Sequence, residues 1–140
     1  MKLAICLYAL DNFGEARARL EEALDYAKRS APTIEDRIQI AEILNNLGCL
    51  SYMSGEPIEA KALFKESLDV QFTVMSESLY SGPTHSVHSV SLNISITRAN
   101  IGFLKLVTKD LPVAITALEA ALMVGCSTFD LLLKTTRQCY

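Results

Sequence analysis

The stretch LNNLGCLSYMSGEPIEAKALFKESL, residues 44–68, decides the fold because its second half occurs three times in the chain. That half, GEPIEAKALFKESL (55–68), has counterparts in DNFGEARARLEEAL (11–24) and KDLPVAITALEAAL (109–122). The copies align on three alanines that lie 44 and 54 residues apart, Ala16, Ala60 and Ala114. An irregular helical bundle accounts for any one copy, whereas three copies in phase predict tandem helical repeats.

The aligned positions carry small and large side chains in a fixed order. A large residue follows each alanine by four positions, and a small residue followed by leucine comes three positions later. The i, i+4, i+7, i+8 spacing puts all four residues on one stripe of a helix. Small residues let two helix backbones approach and the large residue fills the groove between them, so the stripe predicts packing rather than a binding site. The large residues are Leu20, Phe64 and Leu118, the small ones Ala23, Ser67 and Ala121, and the leucines Leu24, Leu68 and Leu122.

Two pairs of polar residues mark the beginnings of helices. Asn12 with Glu15, and Thr33 with Asp36, have the spacing of capping boxes. Glycines and prolines are few and well separated, which favours long helices joined by short turns. The predicted helices cover 2–10, 13–30, 33–54, 57 to about 75–80, 88–108, 110–125 and 127–140.

The predicted breaks depend on glycine, proline and serine. Gly55 is expected to end a helix in the left-handed conformation, and Pro57 suits the first turn of the next helix. The segment 76–95 is serine-rich, and Gly82-Pro83 within it is expected to mark a linking loop. Gly125 is expected to stop a helix, and Ser127 with Asp130 to cap a separate C-terminal one.

The complete pattern resembles the tetratricopeptide repeat (TPR). In residues 44–68 the match covers Leu47-Gly48, Gly55 and the stripe that begins at Ala60. The third copy has Ile101-Gly102 twelve residues before its alanine, with Lys109 where glycine is usual. The first copy is incomplete at its start, with Leu3 and Ala4 in the Leu-Gly places.

The resemblance implies an all-α fold, an α–α superhelix (solenoid) of about three TPR-like helical hairpins plus a C-terminal capping helix. The chain is expected to be a single domain, 1–140. We call 1–31 repeat 1, 33–80 repeat 2 and 88–125 repeat 3, followed by the helix at 127–140. The anchor alanines lie 44 and 54 residues apart, whereas the usual unit has about 34 residues, so longer helices and an inserted loop are expected to absorb the excess.

The long units also have some similarity to those of kinesin light chains. Residues 44–48, LNNLG, match the opening of such a unit. Gly82, His85 and Val87 match its linker, although Ser86 replaces the linker's proline and the following spacing is longer.

The resemblance implies a binding groove lined by the first helix of each pair. The polar residue before the Leu-Gly pair lies in that groove, here Asn46 in repeat 2 and Asn100 in repeat 3. An amide both donates and accepts hydrogen bonds, so it can hold a peptide backbone without reading side chains. The alternative is that these amides serve only local helix contacts. The other groove candidates are Asn45, Cys49, Met53 and Phe103, with Tyr52, Leu106 and Val107 nearby.

The binding of a C-terminal carboxylate, known from chaperone-binding TPR domains, is not expected here. That clamp requires basic residues on the inner helices, and the matching positions hold Met1, Ile5, Ile96 and Asn100. Only Asn46 fits the clamp.

Composition excludes other classes of function. The 140 residues carry a formal net charge of −3 with acidic and basic residues interleaved, which argues against a nucleic-acid surface. No apolar run approaches the ~18–20 residues of a membrane span. The four cysteines form no CxxC pair, so we expect thiols in a reducing, cytoplasmic compartment and no metal.

The sequence contains no motif of a known catalytic site. His85 and His88 would share a helix face, but no further ligand lies near them in the sequence. The serines of 76–95 suit phosphorylation or the solubility of a loop, and we favour the loop. We therefore expect no enzyme and no cofactor, but a module that binds a protein or peptide partner. The alternative is a structural segment of a longer TPR scaffold, acting through repeat stacking or through self-association of the incomplete repeat 1.

Overall fold

The computed structural model describes residues 12–29, 33–81 and 84–137, and within these ranges every regular element is an α-helix. The predicted helix 2–10 lies outside the described residues. The helices are α1 (Phe13–Arg29), α2 (Ile34–Met53), α3 (Pro57–Ser81), α4 (Thr84–Val107) and α5 (Leu111–Arg137).

The two helix starts predicted at Asn12 and Thr33 are confirmed by their capping contacts. The Thr33 side chain accepts a hydrogen bond from the Asp36 backbone at 3.2 Å, and the Asp36 carboxylate accepts one from the Thr33 backbone at 2.9 Å. The hydrogen bonds that Thr33 donates, first from its backbone and then from its side chain, lower the pKa of Asp36 because they favour its ionised form. At the start of α1, Asn12 Oδ1 accepts from the Glu15 backbone at 3.3 Å.

The turn between α2 and α3 ends the first helix as expected. Gly55 has a φ of 82°, a left-handed conformation that glycine adopts without a Cβ penalty. Its N–H donates to Tyr52 O at 3.1 Å, and the Glu56 N–H donates to Ser51 O at 2.8 Å. These are the two bonds of a Schellman motif, which satisfies carbonyls at the end of α2.

The turn between α4 and α5 makes the same motif without glycine. Lys109 has a φ of 62°, its N–H donates to Leu106 O at 3.1 Å, and the Asp110 N–H donates to Lys105 O at 2.9 Å. Lysine therefore occupies the left-handed position that glycine fills in repeat 2. Because the same turn forms with either residue, the packing of the hairpin and not the residue type determines its conformation.

The helices that flank the predicted loop are longer than expected. Residues 76–81 belong to α3 and 84–95 to α4, and Ser78 is buried. The predicted loop residues Gly82 and Pro83 lie outside the described residues. Serine is only moderately unfavourable in a helix, so tertiary packing can keep a serine-rich segment helical. The composition alone does not reveal this. The extra length of the repeats therefore lies in their helices.

The predicted break at Gly125 is wrong, because α5 continues as one helix to Arg137 and no separate helix begins at 127. An internal glycine costs a helix only about 1 kcal/mol. A Cβ at Gly125 would lie 3.2 Å from Ser95 Oγ, so the missing side chain permits close packing against α4. Gly125 is thus a packing glycine and not a helix end.

The chain divides into two compact units, Met1–Val74 and Met75–Tyr140, with the division inside α3. In the first unit, α1 packs against α2. Ala16 and Leu20 of α1 contact Ile43, Leu47 and Leu50 of α2, and the half-buried Leu24 packs against the same cluster. In the second unit, α4 packs along α5.

Each hairpin closes at a glycine that faces a large side chain. A Cβ at Gly48 would lie 2.6 Å from Phe64 Cε1, and Phe64 is only 2% exposed. A Cβ at Gly102 would lie 2.6 Å from Leu118 Cγ. Because real Cβ atoms do not approach other heavy atoms so closely, a larger residue at either position would force the facing side chain or the helices to shift. The predicted packing role of the repeated small-and-large stripe is confirmed for its alanine, large and small positions, but not for its leucine position in repeat 3, because Leu122 is 67% exposed.

A second contact joins the helices of each hairpin with its direction reversed. In repeat 2, Ser67 Oγ of α3 donates to Ala41 O of α2 at 2.7 Å. In repeat 3, Ser95 Oγ of α4 donates to Ala121 O of α5, also at 2.7 Å. Ala41 aligns with Ser95 and Ser67 with Ala121, both at the 54-residue offset of the repeats. The two hairpins therefore make the same contact from opposite sides.

An ionic cluster joins α1 to the start of α3. The Arg17 guanidinium lies 2.9 Å from Glu56 Oε2, 2.6 Å from Glu59 Oε1 and 2.9 Å from Glu21 Oε1. Glu59 also accepts a hydrogen bond from Ser51 at 3.0 Å. The bond from Arg17 is the main reason that the pKa of Glu59 lies below its ordinary value of 4.5, and Glu59 in turn raises the pKa of Arg17.

We expect Gly48→Ala to lower the free energy of unfolding by about 1–3 kcal/mol, because the new methyl group overlaps the Phe64 ring. Repeat 1 has Ala4 and Leu20 at these two places. The double variant Gly48→Ala/Phe64→Leu should therefore be more stable than the sum of the single changes. Urea unfolding followed by circular dichroism measures this. Gly14→Ala is the control, since a Cβ there meets nothing within 4 Å; additive losses would contradict the steric explanation.

We expect Ser67→Ala to cost about 1 kcal/mol through the lost hydrogen bond. Adding Ala41→Ser should restore most of that stability, because it reproduces the arrangement of Ser95 and Ala121. Thermal unfolding of both variants checks this. A double variant no more stable than Ser67→Ala would show that the two arrangements are not interchangeable.

We expect Arg17→Gln to lower the free energy of unfolding by about 1 kcal/mol at pH 7, and by less at pH 3. The pKa of Glu59 is lower in the folded chain than in the unfolded chain. The ionised pair therefore stabilises the fold at pH values above the ordinary pKa of Glu59, and this stabilisation is lost as the pH falls through the pKa of Glu59 in the folded chain. Urea unfolding at both pH values tests the difference. The control is Arg19→Gln, which removes an exposed pair with Glu22; an equal loss at pH 7 and pH 3 would contradict this account.

Candidate functional site

The candidates in repeat 2 lie on the second half of α2. Asn46, Cys49 and Met53 follow an i, i+3, i+7 spacing, which places them on one side of the helix. Asn45, Asn46 and Cys49 are half-buried, and Met53 is 47% exposed. Asn45 lies beside Asn46 on the same helix. All four candidates of repeat 2 therefore lie within three turns of α2.

Burial shapes the chemistry of one of these candidates. It raises the pKa of the Cys49 thiol, because the charged thiolate is poorly solvated there. Cys49 therefore contributes an apolar, protonated surface and not a reactive nucleophile.

The candidates in repeat 3 lie on the last turns of α4. Asn100 is half-buried, and Phe103 one turn later is 57% exposed. Leu106 and Val107 at the end of the helix are exposed as well. An amide therefore stands beside a row of apolar side chains that reach solvent.

The same row extends further towards the start of α4 than the candidate set. Leu92 and Ile96 precede Asn100 by eight and four positions, and both are exposed. With Phe103 and Val107 they form a continuous apolar stripe, which we call the α4 stripe. The helical spacing of these apolar residues is visible in the sequence and indicates that they share one side of a helix. Spacing alone does not show whether that side is buried or exposed.

A further feature of the first unit was not expected from the sequence. An open cavity of about 860 Å³ lies between α1 and α2. Its floor includes Ala23, Ala27 and Ile43, and its rim carries Tyr26 and charged side chains of both signs. The cavity borders the same helix as Asn46 but is lined by other residues. Its charged and amphipathic rim comprises Arg19, Glu22, Tyr26, Arg29, Gln39 and Glu42.

Two features bear on the other expectations from the sequence. In residues 12–29, 33–81 and 84–137, none of the helices combines the length and the hydropathy needed to cross a membrane. Within the same part of the chain, no three His, Cys, Asp or Glu residues are grouped as metal ligands would be. The predicted pairing of His85 with His88 on one helix face involves the His85 side chain, which is not among the side chains that the structure describes.

Comparison with known families identifies the repeat. A family model for the tetratricopeptide repeat matches residues 1–71, half of the chain. The match agrees with the α2–α3 hairpin and its glycine closure, and the chain belongs to the tetratricopeptide-repeat family. Searches of curated proteins and of solved structures returned no significant match.

Family membership defines the general class of function. TPR hairpins are interaction modules that present helix surfaces to other proteins. The chain is therefore, in general terms, a protein–protein interaction scaffold with an all-α helical-repeat fold.

Proposed function

We propose that this chain binds a peptide or helical segment of a partner protein along the inner helices of repeats 2 and 3, and that it does so without catalysis, in the cytoplasm. Asn46 and Asn100 hold the backbone of the bound segment. Asn45, Cys49, Met53 and Phe103 provide the surrounding surface. No nucleic acid, membrane or cofactor takes part.

The observation that carries this proposal is the exposure of the α4 stripe. Leu92 is 51%, Ile96 44%, Phe103 57% and Val107 54% exposed, so four large apolar side chains in one row face solvent. Contiguous exposed apolar surface of this kind is typical of interaction sites. Asn100 stands within the row, where an amide can satisfy the backbone polar groups of a bound segment.

The charges beside the stripe favour the same use. Along α4, Arg98 and Lys105 are the only ionised side chains in the sequence between Thr84 and Val107. Lys105 is paired with Asp110 at 2.7 Å. Few charged groups must therefore lose water when an apolar segment covers the stripe, which lowers the cost of binding.

We expect the full chain to select peptides from a displayed peptide library. Asn46→Ala/Asn100→Ala and Phe103→Ser should each weaken the selected peptides by about tenfold or more, because each removes a contact of the bound segment. Fluorescence anisotropy measures the affinities.

The matched control is Ile58→Ser, which removes an apolar side chain 86% exposed on α3. It should leave the affinity unchanged, and all these variants should keep their free energy of unfolding within about 0.5 kcal/mol. Failure to enrich any peptide, or equal binding by all variants, would exclude this site.

A second function is favoured by the contacts between repeats. In the first unit, Arg17 and Lys28 of repeat 1 bind Glu56, Glu59 and Glu66 of repeat 2, so neighbouring repeats are joined by specific ion pairs. We propose that the chain can alternatively serve as a structural segment that acts through repeat stacking or self-association. Self-association through the incomplete repeat 1 belongs to this second proposal.

A further inference from the structure

Several positions of α5 differ in chemical character from their counterparts in the first two repeats. Where repeats 1 and 2 have Arg17 and Lys61, repeat 3 has Ile115. Two other positions that hold acidic residues in repeats 1 and 2 are also apolar in repeat 3. Glu15 and Glu59 correspond to Val113, and Asp25 and Asp69 to Met123.

These apolar replacements face solvent in the structure. Val113 is 46%, Ile115 54% and Met123 72% exposed. Between Leu111 and Cys126 the only charged residue is Glu119. An outer helix with one charge in this span is poorly suited to water, which indicates that another surface covers it.

The counterparts in repeat 1 show which side of α5 is concerned. Arg17 and Lys28 face repeat 2, where they bind carboxylates. Leu24, between them on the same side, is half-buried against α2. The corresponding residues of α5 are Ile115, Cys126 and Leu122, and Leu122 is 67% exposed. Together with Leu111 they form what we call the α5 stripe.

The chemistry of the α5 stripe excludes a repeat with the charges of repeat 2 as its occupant. Such a repeat presents three carboxylates to the positions of Arg17 and Lys28. Opposite Ile115 and Cys126 these carboxylates would lose water without gaining a cation, which is unfavourable. The occupant must therefore offer an apolar helix face with few charges, and α5 itself offers one.

We propose that the α5 stripe is the contact surface between two copies of this chain, whose α5 helices pair in antiparallel orientation. Residues 111, 115, 122 and 126 are separated by 4, 7 and 4 positions, a spacing that reads the same in both directions. A twofold, isologous contact requires such self-complementarity. It places Ile115 against the partner's Leu122 and Leu111 against the partner's Cys126.

The size of the surface sets the strength of the pairing. The stripe is about 24 Å long at 1.5 Å per residue. One helix pair of that length buries less than the ~1,200 Å² of a stable interface, so the dimer is weak and forms at about 0.1 mM. Glu119 lies beside the stripe near the twofold axis, where the two carboxylates repel each other.

Sedimentation equilibrium of the full chain from about 10 µM to about 1 mM tests the proposal. The wild-type chain should pass from monomer to dimer. Ile115→Lys, which restores the type of residue found in repeats 1 and 2, should weaken the dimer at least about tenfold. Thr116→Lys, an exposed neighbour outside the stripe, should not. A monomer at all concentrations, or an unaffected Ile115→Lys dimer, would overturn the proposal.

Glu119 provides a test of the twofold geometry. Glu119→Gln should strengthen the dimer, and Glu119→Lys mixed with wild-type chain should form heterodimers in preference to either homodimer. Leu111→Cys should form a disulfide to Cys126 of a second chain under mild oxidation, identified by mass spectrometry of proteolytic fragments. Homodimers favoured over the mixed pair, or a cross-link between the introduced cysteines of two chains, would exclude the antiparallel arrangement.

Discussion

The close approach of a large side chain to a glycine of the facing helix is the constraint on which the rest of the structure depends. At Gly48 and Gly102 the facing side chains, Phe64 and Leu118, occupy the volume that any Cβ would need. Because the helices of each hairpin are held at this separation, a serine hydroxyl can reach the facing carbonyl in both of them. The Schellman turns at Gly55 and Lys109 fit the same geometry, so that even lysine adopts a left-handed conformation where the hairpin requires it.

The same packing separates the structural residues from those available for binding. The alanine, large and small positions of the repeat stripe, conspicuous in the sequence, are used in packing between helices. The positions left exposed form the α4 stripe around Asn100 and the α5 stripe around Ile115, and the α5 stripe includes Leu122. The first lies on α4 and carries the proposed peptide site. The second lies on α5 and carries the proposed contact between copies. A TPR protein of this size can in this way use two faces for two kinds of partner.

The parts of the fold that could be predicted from the sequence are those governed by local chemistry. The caps at Asn12 and Thr33 and the glycine turn at Gly55 act within a few residues, so their spacing was sufficient. The length of the helices in the serine-rich segment and the continuation of α5 through Gly125 were not predicted, because both depend on packing against a distant helix. For the proposed binding site, the repeat register in the sequence indicated Asn46 and Asn100, and the structure places them on α2 and α4. The sequence did not show that Leu92 and Ile96 extend the exposed surface, since helical spacing is the same for buried and exposed stripes.

The sequence by itself determined the all-α repeat architecture, because three copies of a small-and-large pattern at helical spacing can be buried together only by stacking hairpins. It also determined the register in which Ile115 replaces a cation, since that comparison needs only the aligned repeats. The tertiary structure alone decided which apolar stripes are buried and which reach solvent. It likewise decided that Ser67 and Ser95 donate across the hairpin in opposite directions. These outcomes depend on the distances between helices, which are set by packing between residues far apart in the chain and not by any local pattern of residues.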